Sequence, residues 1–246
     1  MKKLFTSKAL RVCFLFFALT LPLFLSSCGG GGSLPTFNVT GTWLIFHTTA
    51  GTAGLQGPDV YTFTTSESTL SGTVVPAGQT QALAVTGTVT GVNISFSWTG
   101  IDGTSYAYEG TVKANATMSG NWTSLRGQTI QSGTWNALIN NPNILTATVA
   151  GNWNVFVTTT GIAGEVGPSL ATFTQSGNSI TVTLQGETIT ATGTVSNLNL
   201  IFSWVGADGV TTNIFIGTAD ATATNITGTW SATNGQSGTW RATKVG

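Results

Sequence analysis

Residues able to do chemistry are few, and His47 heads them. It is the only histidine in the 246-residue chain, so a Ser-His-Asp triad, a His-ligated metal or an imidazole acid-base pair would have to use it. His47 shares one face of an alternating segment with Trp43 and Ile45 and has no obvious helper, which predicts a hydrogen-bonded packing residue. Glycoside cleavage can run on two carboxylates about 5 to 9.5 Å apart, but no local pair is evident. Asp102 and Asp208 each precede a glycine, where Asp favours a turn by bonding its own backbone, and no ladder of further oxygens offers a calcium site. The stretches Gly51 to Gly57 and Gly161 to Gly167 introduce no helix, so phosphate cradling lacks its context. No catalytic residue, metal-ligand set or cofactor is expected.

The aromatic side chains are the other candidates. Eight Trp serve either as a stacking surface for sugars and apolar ligands or as core, and core is the expectation because aromatics dominate burial in small domains. Trp43, Phe96 and Trp98, with Trp153, Phe202 and Trp204 further on, are the residues that would line a ligand cavity or fill a core.

Cysteine bears on location. Lys2, Lys3, Lys8 and Arg11 precede an apolar run from Val12 to Leu25, too short at 14 residues to span a bilayer comfortably, and Leu25-Ser26-Ser27-Cys28 closes it. This pattern resembles the signal and lipid-attachment motif of bacterial lipoproteins. The resemblance implies cleavage before Cys28, acylation of its thiol, and a membrane anchor through the N-terminal lipid. Gly29, in place of Asp after the cysteine, implies the outer membrane of the cell envelope as destination. Cys13 would leave with the signal, so no thiol would remain for a disulfide, a metal or a nucleophile.

The expected organisation is a signal peptide over 1–27, then a lipidated Cys and glycine-rich tether over 28–37, of which Gly29 to Ser33 is a flexible coil. Beyond residue 27, four basic side chains face eight acidic ones, a net charge of −4. Lys113, Arg126, Arg241 and Lys244 are scattered, which argues against nucleic acid as a partner. Charged residues make up 7% of the chain, against roughly 25% in ordinary soluble domains, so solubility rests on hydroxyls and amides.

An internal repeat sets the architecture. Gly41-Thr42-Trp43 matches Gly151-Asn152-Trp153, Phe96-Ser97-Trp98 matches Phe202-Ser203-Trp204, and Trp122 and Trp135 match Trp230 and Trp240. All eight Trp thus fall into four pairs. A first unit over 38–139, a linker over 140–147 containing Asn140-Asn141-Pro142-Asn143, and a second unit over 148–246 follow. Within each unit apolar residues alternate, as in Ile94, Phe96 and Trp98, and turn formers such as Asp102-Gly103 and Asn234-Gly235 recur about every dozen residues. Roughly eight strands fit per unit, and exposed edge strands are avoided if the first pairs with the last. The predicted fold is all-β: two tandem, homologous antiparallel meander barrels of about eight strands each, with β-sandwiches as the alternative.

Gly-x-Trp on the first strand of a meander barrel resembles the lipocalin and avidin group. That resemblance implies that Trp43 and Trp153 each plug one barrel end, with a basic residue from the last strand over the ring. Arg241 is the candidate in the second unit, and Asn136 occupies its place in the first. Both units are shorter than a typical lipocalin, which argues against a deep cavity. Three functions stay open: a non-enzymatic envelope module with a protein or polysaccharide partner, a carrier of a small apolar ligand inside a barrel, and a hydrolase.

Overall fold

The computed structural model describes residues 37–114, 116–144 and 146–246; the signal segment, Cys28 and the glycine tether lie outside the described residues. Alternation with period two puts every second side chain on the same face of a strand, and here the apolar set turns inward all the way round. Eight strands follow in the first unit: β1 (Gly41–His47), β2 (Gln56–Ser66), β3 (Thr69–Val75), β4 (Leu83–Thr90), β5 (Asn93–Thr99), β6 (Ser105–Lys113), β7 (Thr117–Arg126) and β8 (Thr129–Ile139). The second unit repeats them as β9 (Gly151–Thr158), β10 (Glu165–Ser176), β11 (Ser179–Leu184), β12 (Thr190–Ser196), β13 (Asn199–Val205), β14 (Thr212–Ala219), β15 (Asn225–Ala232) and β16 (Ser237–Lys244). Each set is a closed antiparallel barrel, because β1 pairs with β8 and β9 with β16. Closure removes the edges that a sandwich would leave.

One end of each barrel is closed the same way. The segment ahead of the first strand folds across it, burying Val39 and Val149, and the Trp43 and Trp153 indoles each donate to the carbonyl of that valine at 2.8 Å. The Gly-x-Trp tryptophans therefore plug one end of each barrel. The basic residue over the Trp153 ring is Lys244, with Nζ 5.5 Å from the ring centre, and not Arg241. Trp240 points inward, so Arg241 must point outward; it lies over the Phe156 ring and pairs with Glu165.

The barrels stand side by side. Leu44, Phe46 and Leu138 face outward from the first barrel and pack on Ile201 and Ile214 of the second, all five buried. At the Trp43/Trp153 end, the Asn197 carboxamide donates to the carbonyls of Asn141 and Ile144 at 2.9 and 2.8 Å and accepts from the Asn141 N–H at 3.1 Å, so the linker is clamped. At the other end the Gly54 N–H donates to Thr212 Oγ1 at 2.7 Å. The two barrels therefore point the same way, with the chain entering the first at the end that Trp43 plugs.

Candidate functional site

The end of each barrel away from Trp43 and Trp153 is where the two copies differ. In the first barrel β2 bulges at Gly57-Pro58, two residues opposite the single Phe46 between Ile45 and His47 on β1. Gly57 has φ +110°, and a Cβ there would lie 2.7 Å from the Ile45 carbonyl oxygen, so the step needs glycine. This bend brings the Asp59 carboxylate to 3.8 Å from His47 Nδ1 (Oδ2), while its Oδ1 accepts from the Ala77 N–H at 2.7 Å. His47 packs edge-on to Trp122 at 5.4 Å with Gln56 as a side-chain hydrogen-bond partner, while its buried Nδ1 has none. Burial lowers the His47 pKa and raises that of Asp59, each outweighing the attraction between them.

Beside this pair lies Tyr61, fully buried on β2. Its ring packs against Phe63 and Phe96 at 5.5 Å and Tyr108 at 6.2 Å, and its hydroxyl accepts from Trp98 Nε1 at 2.9 Å. Burial pushes its phenol far above the ordinary tyrosine range. Trp98 in turn stacks on Tyr106 at 4.0 Å. The first barrel is thus filled below its rim, and Trp43, Phe96 and Trp98 are core, with Trp98 and Tyr106 also bordering an open pocket at the mouth.

The second barrel keeps the aromatic ladder but not the filling. Phe202 stacks on Phe215 at 5.2 Å, as Phe96 does on Tyr108 at 4.7 Å. Strand pairing places Ala171 where Tyr61 stands, since both face the Gly-x-Trp tryptophan across the ladder. In the same way Asn213 replaces Tyr106, Ser169 replaces Asp59 and Val157 replaces His47. Val182 stands where the first barrel has Gly72, returning a little of the lost volume. What remains is a cavity of about 280 Å³, walled chiefly by Val155, Val182, Leu184, Phe173, Phe202 and Trp204, with Ser169 and Asn213 as its polar lining. Ile162, Val166, Val205 and Val210 stand exposed at the same end of the barrel.

Of the residues singled out from sequence, Phe202 and Trp204 line this cavity, whereas Trp153 is buried at the opposite end. Trp204 is half-buried and leans over Phe215 at 5.0 Å, because its cross-strand neighbour is Asn213 rather than a tyrosine. Asp102 and Asp208 do form turns: Asp102 accepts from the Thr104 N–H at 3.0 Å, and Asp208 from Val210 and Thr211 at 3.0 and 2.8 Å. The Thr104 N–H and hydroxyl hold the Asp102 carboxyl below its usual pKa, and the Thr211 hydroxyl, with the Thr211 and Val210 N–H groups, does the same for Asp208. Among the described residues no three His, Cys, Asp or Glu side chains converge as metal ligands would. Sequence reading missed Ala171, although its signal was there as the small residue opposite Tyr61 in the repeat.

No protein-family model matches the sequence, and no curated protein does. Three solved structures are similar in outline. The Burkholderia oklahomensis agglutinin is 14% identical, with 85% of this chain and 96% of that chain covered at a TM-score of 0.22. The Myxococcus xanthus hemagglutinin, solved with a3,a6-mannopentaose, is 16% identical over 82% and 99%, with a TM-score of 0.19. A DUF3598-family protein of unknown function from Nostoc punctiforme is 8% identical over 84% and 96%, with a TM-score of 0.27. At such identities and TM-scores none of them bears on what this chain binds.

Proposed function

We propose that the chain is an exported, lipid-anchored binding protein of the bacterial cell envelope, at the outer membrane, whose second barrel holds one small apolar ligand and catalyses no reaction. The cavity carries this reading. An apolar cavity of about 150 Å³ stays dry and takes benzene, so one of about 280 Å³ suits a single substituted ring. Apolar walls with a few polar groups are the usual make-up of a small-molecule site. A hydrolase is disfavoured because the one His-carboxylate pair sits in the filled barrel with its Nδ1 buried.

Native mass spectrometry of the full-length protein from its host membrane tests the reading. One small adduct per chain is expected, absent from a variant carrying Ala171→Tyr and Val182→Gly, which copies the filled barrel. A wild-type mass without adduct would overturn the carrier function. Membrane fractionation of Cys28→Ala tests the anchor: the variant should leave the membrane, and unchanged fractionation would refute lipidation.

A further inference from the structure

Indole N–H groups in this molecule are almost all engaged. Trp43 and Trp153 bond the valine carbonyls that close the barrels, Trp122 and Trp230 bond the carbonyls of Thr48 and Thr158, and Trp135 and Trp240 bond the carbonyls of Glu109 and Ile216, two strands away. Trp98 donates to the Tyr61 hydroxyl. Trp204, its counterpart, is the exception: among the described residues nothing accepts from its Nε1. Ala171 has removed at once the ring that filled the space and the oxygen that bonded the indole.

We infer that the ligand of the second barrel is a monocyclic phenol that takes the place the Tyr61 side chain fills in the first, its oxygen accepting from Trp204 Nε1. The inference rests on the carrier reading proposed above and names the class of its ligand. The ring would lie tilted against Phe173 and edge-on to Phe202, as Tyr61 lies against Phe63 and Phe96 at 5.5 Å. Ser169 and Asn213 line the same cavity with no side-chain hydrogen bond among the described residues, and their oxygens are the acceptors available to the phenol O–H. A ring without a hydroxyl would fill the volume but offer the half-buried indole N–H no acceptor in place of water. That is the asymmetry by which a polar site rejects an analogue lacking the polar group.

Equilibrium dialysis of the full-length protein against 4-ethylphenol and ethylbenzene, which differ only in the hydroxyl, decides the matter. One 4-ethylphenol per chain is expected, bound roughly five- to ten-fold tighter than ethylbenzene, the worth of about one net hydrogen bond. Trp204→Phe should bring the ratio to one or below. Tyr61→Ala, which frees the Trp98 N–H and opens the matching space, should bind a second phenol. Ethylbenzene bound as tightly as the phenol would overturn the phenol assignment and leave the carrier reading standing. Binding of neither compound would overturn both.

Discussion

The two barrels share a ladder of aromatic rings and a plug, yet one end is solid in the first and hollow in the second. The difference comes down to a few inward positions. Tyr61 with Gly72 becomes Ala171 with Val182, a large-small pair exchanged for two modest residues, and Tyr106 becomes Asn213. A closed eight-stranded barrel has just enough interior for side chains or one small ligand, so losing two phenols decides between them. Polarity shifts in the same direction: His47 and Asp59 are replaced by Val157 and Ser169, so no titrating side chain lines the cavity. The first barrel thus fills this interior with side chains, and the second retains space.

The largest expected effect comes from hollowing out the solid barrel. Tyr61→Ala removes a fully buried ring and the acceptor for Trp98 Nε1, and should lower the unfolding free energy by about 3–5 kcal/mol in urea denaturation. A loss below about 1 kcal/mol would mean that the barrel collapses to fill the space, and the contrast between the two barrels would weaken. The reverse exchange is smaller. Ala171→Tyr alone meets the Val182 side chain and should cost about 1–3 kcal/mol by overpacking. Adding Val182→Gly should recover most of that, giving a coupling between the two positions that distant sites would not show.

A third effect separates the barrels by pH. His47 has its pKa lowered by burial, so the unfolded chain binds its proton more readily, and this residue costs stability as pH falls below the ordinary value of 6.5. Asp59 has its pKa raised by burial, so the folded chain binds the proton more readily, and its cost shrinks as pH falls through the raised value. The two slopes oppose each other in the native protein. Asp59→Asn should leave stability falling as pH drops through 6.5, and His47→Val should leave it rising as pH drops toward the ordinary carboxylate range. Parallel pH profiles for the two variants, read from urea midpoints, would show that the pair does not titrate as its burial implies.

Most of this architecture was legible from repeat and alternation. The Trp pairs marked two units and strand period with turn spacing marked about eight strands in each, while closure over a sandwich rested on the argument against exposed edges. The His47-Asp59 approach was not legible, since it depends on a bulge at Gly57-Pro58 that sets the strand offset, and offset across a bulge is not written in either strand alone. Lys244 was missed in favour of Arg241 although parity from Trp240 would have decided it. The cavity was missed for another reason. Matching residues reveal a repeat, while the site lies in the mismatches, and reading Tyr61 against Ala171 requires knowing that both point inward at the same end.

The smallest effect is expected on the outer surface. Arg241 donates through Nε and an NH2 group to the two Glu165 carboxylate oxygens at 2.9 and 2.7 Å and covers the Phe156 ring at 3.7 Å, whereas the first barrel has Asn136 at the corresponding place. The geometry is bidentate, but both groups remain in contact with water, where an ion pair gains little over its hydrated partners. Arg241→Asn, which makes the second barrel copy the first, should therefore shift the thermal midpoint only slightly and leave ligand binding unchanged. A large drop would mean that this clamp of β16 onto β10 across β9 holds the hollow barrel open, and that the second barrel maintains its cavity from outside as well as by what its interior lacks.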